Sequence, residues 1–367
     1  MNKTIKIIIA IIVIVLVVWG ISSLNNKPSM TETELIKVGV ILPLTGGAAK
    51  IGEEAKAALE IAQNDFSDLN IELLFEDDAF SPKDSVSAFN KINTNNVVAI
   101  IGPLNGTSIE AVRPLAVKNK LPLMTPYGAG NDMGDYLYKN SVEGADEAKA
   151  MADKANSLGF KKLAIIYLQN DFGLKYFDSF KKTVADNSGF LVAEESVVFG
   201  EKDFRTSLAK IKAKNPEALY IAHVSASVGE VAKQAFELGL KTQLLGQYGA
   251  ESSDLLQIGG KGLEGFIYSF TIDESSLSEK QKNFTSKFEA KTGVKPQIVA
   301  YNTYDIYEII SQAVKSCGKD RECINARMGN VEDFSGVGGN FSITDGKIQR
   351  EFFFKTVKNG QFVKLAQ

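Results

Sequence analysis

The chain predicts an α/β protein of two lobes, each a mostly parallel sheet with helices on both faces. Three observations predict it. Apolar strand-like runs alternate with stretches of helical periodicity through most of the 367 residues, an order that builds parallel sheets. The alternation restarts once, near Ala145, giving two runs of about 110 and 125 residues. About 330 residues remain after an N-terminal export segment and a polar stretch, more than one ordinary core accommodates.

Each element carries its own signal. In the first run, Ile36 to Leu42 is an apolar strand, and Gly52 to Phe66 is a helix with Ala55, Ala58, Leu59, Ala62 and Phe66 at helical spacing. Ile71 to Phe75 is a strand, and Pro82 to Ile92 a helix opening with proline in its first turn, where the missing N–H costs nothing. Val97 to Ile101, the helix Ile109 to Asn119 and the strand Leu121 to Met124 complete this run. The second run reads helix Ala145 to Leu158, strand Lys162 to Tyr167, helix Leu174 to Asn187 and strand Glu194 to Phe199. It continues with helix Phe204 to Lys214, strand Ala218 to His223, helix Val228 to Leu238 and strand Thr242 to Gly246. A strand at Gly265 to Phe270 precedes helices at Ser278 to Thr292 and Thr303 to Ser316. Gly338 to Phe341 and Glu351 to Val363 read as short antiparallel strands around the turns Asp345-Gly346 and Asn359-Gly360.

Residues 1–24 form the export segment and 25–34 a linker. Fifteen uncharged residues, Ile7 to Ile21, follow Lys3 and Lys6. Ile5 to Leu24 is about twenty residues, roughly 30 Å of helix, enough to cross a bilayer. The basic residues ahead of the run leave the N-terminus in the cytoplasm and deliver the body outside. The run reads as an uncleaved anchor in preference to a cleaved signal peptide, because Trp19 to Ser23 makes a poor cleavage site.

Composition narrows the function. With 44% hydrophobic and 23% charged residues the body is that of a soluble globular protein, and a net charge of -3 without a basic cluster argues against a nucleic-acid partner. The single histidine, His223, leaves a histidine-based metal or catalytic centre almost nothing to work with. Cys317 and Cys323, the only cysteines, fit a short-loop disulfide in an oxidising compartment, with two free thiols as the alternative. No cofactor, no metal and no enzymatic activity are expected.

Open parallel sheets bind ligands outside the carboxyl ends of their strands. Those ends carry the loops 43–52, 102–108, 125–131, 169–173, 223–227 and 246–253, which line one cleft if the lobes face each other. Gly47 and Gly52 have the spacing of a phosphate loop, but Glu53 and Glu54 stand where Lys and Ser or Thr belong, and two carboxylates repel a phosphate. No G-x-S-x-G elbow is present, and His223 ends an apolar strand, where a histidine packs. Asp77 and Asp78 are neighbours that point apart, with Asp78 placed to cap the Pro82 helix. Two loops suit a polar ligand better. Gly102 to Ser108 runs from a buried strand into a helix and offers backbone N–H groups and hydroxyls to a carboxylate; Thr125 to Gly130, with Tyr127, Gly128 and Ala129, supplies carbonyls and an aromatic wall.

Those residues resemble a known family, the type I periplasmic solute-binding proteins of the leucine/isoleucine/valine-binding group that feed ABC importers. The resemblance runs from Lys37 nearly to the C-terminus. It is carried by Lys37 to Gly46, Asp77-Asp78 ahead of Pro82-Lys83, Ile100-Ile101-Gly102-Pro103, Thr125-Pro126, Asn170-Asp171-Phe172-Gly173, Gly200 to Phe204 and Ala235 to Leu240. It implies two Rossmann-like lobes joined by three crossing strands near Val142, Phe270 and Arg350. The lobes would be 35–142 plus 271–350 and 143–270 plus 351–367. Hinge closure would then trap a small polar solute, an amino acid or an amide-like molecule, and the closed form would dock on a membrane permease. The receptor would be a monomer outside the cell.

Carried over residue by residue, the family's site departs from its pattern. The serine that holds an amino acid's carboxylate falls at Gly106, between Asn105 and Thr107, and the threonine of the Ala-Thr pair at Ala129. The tyrosine of the first loop falls at Ile51, the aromatic before Gly173 is kept as Phe172, a further tyrosine is Val224, and the acid that pairs with the ammonium is Tyr248. Glu251 lies close enough in sequence to substitute for that acid. A membrane-tethered sensor or partner-binding module with a degenerate cleft is the alternative reading.

Overall fold

In the computed structural model, which describes residues 35–126, 134–223, 225–251 and 253–365, the first run is β1 (Ile36–Leu42), α1 (Ala49–Asp65), β2 (Ile71–Asp77), α2 (Pro82–Asn93), β3 (Ala99–Ile101), α3 (Gly106–Asn119), β4 (Leu123–Thr125) and β5 (Leu137–Lys139). The second is α4 (Gly144–Ser157), β6 (Lys162–Leu168), α5 (Asp171–Asp186), β7 (Phe190–Val197), α6 (Arg205–Ala213), β8 (Ala218–Ala222), α7 (Ser225–Glu237), β9 (Gln243–Gly246), α8 (Ser253–Gly259) and β10 (Ile267–Phe270). Then come α9 (Glu279–Thr292), α10 (Ile298–Cys317), α11 (Arg321–Gly329), β11 (Val331–Gly336), β12 (Gly339–Thr344), β13 (Lys347–Arg350), β14 (Phe353–Lys358) and β15 (Gln361–Lys364). Residues 1–34, where the sequence predicts an export segment and a linker, lie outside the described residues, and among those no helix is long and apolar enough to cross a membrane.

Among the described residues, three sheets form. One has the order β2-β1-β3-β4-β5 with every pairing parallel. The second has the order β15-β14-β10-β9-β8-β6-β7, parallel from β10 to β7 and antiparallel at β14 and β15. The third is the small antiparallel sheet β11-β12-β13. Helices cover both faces of the large sheets, which is why their strands are apolar on both sides. In β1, Val38, Val40 and Leu42 pack in a cluster with α1 and α10, while Ile41 packs on the opposite side with Phe89 and Val112. The turns Asp345-Gly346 and Asn359-Gly360 have positive φ at both residues and close the hairpins β12–β13 and β14–β15.

Helices start earlier than apolar periodicity predicts. α3 begins at Gly106 and α5 at Asp171, because a first turn held by an asparagine cap needs no apolar residue; α10 begins at Ile298, without a side-chain cap. β7 runs from Phe190 to Val197, so Val198 and Phe199 lie beyond it, both exposed. The short β5, and α8, α11 and β11, were not expected. Cys317 and Cys323 form a disulfide, with Cα atoms 5.7 Å apart, joining the end of α10 to α11.

The chain passes between the large sheets three times, after β5, after β10 and after β13. The passages are tied to one another. Asn140 donates to the Asn302 carbonyl at 3.0 Å, and the Thr271 hydroxyl to the Gly338 carbonyl at 2.9 Å. Arg350 donates through one amino group to Asn140 Oδ1 and through the other to the same Gly338 carbonyl. Asp305, fully buried on α10, accepts from the Val337 and Gly338 amides at 2.7 and 2.9 Å.

Candidate functional site

The loop after β1 is shaped by Asp77, which accepts from the Leu44 amide at 2.8 Å, the Ala79 amide at 2.9 Å and both donors of Thr45. Gly52 is needed for packing: a Cβ there would stand 2.0 Å from the Pro43 carbonyl oxygen. Asp78 is buried and accepts from Ser85 Oγ at 2.8 Å and the Phe80 amide at 3.0 Å. The cap of α2 is Ser81, whose hydroxyl accepts from the Asp84 amide, so Asp78 tethers the helix without capping it. Ile51 is half-buried against the first-sheet cluster.

The loop after β3 leaves donors open. Gly102 has φ of +93°, and a Cβ on it would fall 2.0 Å from the Ile41 carbonyl oxygen. Asn105 caps α3: its side-chain oxygen accepts from the Ser108 amide at 2.7 Å and from the Thr107 hydroxyl at 2.8 Å, while its amide group donates to the Phe80 carbonyl. The cap serves Ser108, and helix geometry leaves the N–H groups of Gly106 and Thr107 facing outward. Ser108 Oγ is fully buried and has no partner. Tyr127, Gly128 and Ala129 lie outside the described residues.

On the second sheet, Asn170 caps α5 through the Gly173 amide at 3.0 Å, the same device as Asn105. Phe172 in that first turn is half-buried, its ring centroid 4.7 Å from that of Tyr176. Gly173 admits no side chain, since a Cβ would meet the Leu168 carbonyl oxygen at 1.9 Å. Val224 lies outside the described residues. Tyr248 is buried; its amide donates to Glu147 and its hydroxyl accepts from Asn302 Nδ2 at 2.7 Å. Glu251 is engaged elsewhere, accepting from the Tyr268 hydroxyl at 2.9 Å and pairing with the buried Lys355 ammonium at 2.8 Å, which also holds Glu274. His223 is buried with its ring edge-on to Phe204.

One residue brings the rims together. Asn302, in the first turns of α10, donates both to the Pro126 carbonyl at 2.9 Å and to Tyr248 Oη. The loops after β4 and β9, which belong to different sheets, therefore meet at one side chain.

Two buried acids, Glu147 and Glu54, are not among the site residues that the sequence singles out. Glu147, fully buried in the first turn of α4, accepts from the Tyr176 and Ser269 hydroxyls and the Tyr248 amide; burial pushes its carboxyl up against those bonds. Glu54, 7% exposed on α1, keeps one oxygen without a partner. Burial pushes its carboxyl up to about 7, against the opposing pull of Lys50 and the Gln297 N–H. Helical spacing carried a signal for both. Glu54 precedes Ala58 by four and Ile61 by seven, and Glu147 precedes Met151 by four, so each sits on its helix's buried stripe. Among the described residues no group of three or more His, Cys, Asp and Glu side chains could hold a metal ion.

The profile of the family described as periplasmic binding protein matches residues 35–361. A relative from Brucella melitensis, Leu/Ile/Val-binding protein homolog 3, is 26% identical over 294 residues, covering 77% of this chain and 79% of its own. The crystal structure of a leucine-binding protein from Thermotoga maritima superposes with a TM-score of 0.79 at 25% identity, covering 90% of this chain and 98% of that one. A solute-binding protein of an ABC transporter from R. palustris, in complex with benzoate, has a TM-score of 0.78 at 21% identity, with 90% and 96% covered. The order of both sheets, the capped helices at their carboxyl ends and the profile agree: the chain belongs to the type I periplasmic binding proteins, alongside the leucine/isoleucine/valine-binding proteins.

Proposed function

We propose that this protein is the extracytoplasmic receptor of an ABC importer, closing two lobes over a small polar solute. The lobes are 35–142 plus 271–350 and 143–270 plus 351–367, and the N-terminal apolar run exports and tethers them. The closed form delivers its cargo to a membrane permease, and no chemistry is performed. One observation carries this reading: the open donors at the start of α3 share a rim with the loop after β4, which Asn302 joins to the rim of the other sheet.

The donors favour a carboxylate or another oxygen-rich group. The first N–H groups of a helix and the positive end of its dipole attract an anion without any cationic side chain. Phe172, half-buried at the start of α5 and backed by the buried Tyr176 ring, gives the second lobe aromatic surface for the rest of the solute. Ligand shifts the open–closed equilibrium only through its better binding to the closed form.

Small-angle scattering with a solute panel of amino acids, amides, short peptides and aromatic acids tests the reading. At least one compound is expected to shrink the radius of gyration and raise the melting temperature together; a shape that no compound changes refutes closure. Gly106→Pro locates the site. Proline is tolerated at the first helical position, and Asn105 already has the extended backbone that must precede it (φ -124°, ψ 152°). The variant should therefore fold while losing one donor and most of the ligand-induced shift. An undiminished shift would move the anion site off α3.

A further inference from the structure

We propose that Glu54 is the cation acceptor of the interlobe cleft, taking the protonated nitrogen of an amine-bearing solute where the family's second-lobe acid is replaced by Tyr248. The inference rests on the receptor reading above and adds the charge and class of the solute.

The candidates for that role can be compared directly. Glu147 is sealed by three donors. Glu251 is matched by Lys355 and Tyr268. Asp305 is held by two amides, and Asp78 by Ser85 and Phe80. Glu54 differs: among the described residues, its Oε2 is the one buried carboxylate oxygen left without a partner. Lys50, one turn earlier on α1, attracts this carboxylate through space, but an oxygen left buried without a donor of its own remains costly until a ligand group reaches it. Fold stability alone would favour glutamine or an apolar side chain there. The raised pKa records the same cost, and such groups cluster at functional sites.

Its position fits the role. Glu54 lies in the second turn of α1, the helix that leaves the first loop at the carboxyl edge of the sheet. It faces the start of α10, where the Gln297 N–H approaches it. The same turns of α10 carry Ile298 and Tyr301 into the second-lobe cluster and Asn302 to Pro126 and Tyr248. Glu54 thus packs against the start of the helix whose first turns reach both lobes. The α3 donors supply a pole for an anion, and Glu54 supplies the opposite pole from the same lobe. A solute carrying both an ammonium and a carboxylate or carbonyl satisfies the two together.

The test uses the purified protein and matched probes: leucine, leucinamide, and 4-methylpentanoate, which is leucine without its amine, with the corresponding phenylalanine series. Thermal shift and calorimetry are run on the wild type, Glu54→Gln and Glu53→Gln, the last an exposed neighbour. Ammonium-bearing probes are expected to bind the wild type and Glu53→Gln alike, and Glu54→Gln more weakly by at least about tenfold. The unliganded Glu54→Gln protein should melt no lower than the wild type, which separates loss of a ligand contact from loss of structure. Equal affinity of wild type and Glu54→Gln overturns the assignment. So does amine-free 4-methylpentanoate binding as tightly as leucine, although scattering that still shows closure on it leaves the receptor reading standing. Absence of any shift with both series also overturns the assignment, and the receptor reading then falls only if no solute of the wider panel closes the lobes.

Discussion

Glu54 and Asp305 are carboxyls on adjoining helices that burial pushes up to about 7, against the pull of Lys50 and the Gln297 N–H in one case and of the Gly338 and Val337 amides in the other. Both folded-state values lie above the unfolded ones, so the native state binds these protons more tightly. Stability therefore falls as pH rises from about 4 to 7, and the cost of holding the charged forms is fully present above that window. The melting temperature is expected to decline from pH 5 to pH 8, and Glu54→Gln to flatten the decline and stabilise at pH 8 by roughly 1–3 kcal/mol. Parallel wild-type and variant profiles would show that Glu54 is hydrated and ordinary. In the sequence Glu53 and Glu54 are an equivalent pair at a helix start. Only the phase of α1 separates them, since one turns to solvent and the other toward α10.

At the scale of elements, the strands and helices with long apolar periods were legible, and the loops proposed to make the site stood out in the sequence mainly as glycine and cap positions. Asn105 and Asn170 each precede by three residues the amide they cap, a signal stronger for a helix start than the first apolar residue further on. β5 was not legible: three residues set no pattern, and its Lys139 is buried against Glu143 at 3.0 Å across the first passage. The glycines of the two cleft loops on the first sheet are predicted to behave differently. Gly102→Ala combines a positive φ with a Cβ driven into the Ile41 carbonyl, and urea unfolding should show a loss on the order of 2–4 kcal/mol. A Cβ on Gly47 meets nothing within 4 Å, so Gly47→Ala should change stability by less than about 0.5 kcal/mol. Comparable losses from the two would mean that the close approach at Gly102 relaxes freely, and the β3–α3 loop would then be a poor platform for a rigid anion cradle.

For the whole molecule, the proposed closure would require three passages of chain to bend in concert, and polar ties between them would set how freely they do so. The two-lobe plan was legible because the strand–helix alternation restarts and the length exceeds one core. The ties were not, because they join residues as distant as Asn140 and Arg350. Arg350 is the common member: it binds Asn140 on the first passage and the Gly338 carbonyl, which Thr271 on the second passage also binds, and its guanidinium lies 4.7 Å over the Phe341 ring. Its removal leaves Asn140 Oδ1 and part of the Gly338 carbonyl's hydrogen bonding unfilled without touching either large sheet. Arg350→Ala is therefore expected to keep the native circular dichroism while broadening the distance distribution between spin labels on the two lobes of the unliganded protein. A ligand that prefers the closed form would then work against a different starting population, and its apparent affinity would change although no ligand contact has been altered. A spin-label distribution identical to that of the wild type would mean that the lobes are held by their apolar clusters alone, and the Arg350 ties would then be incidental to closure.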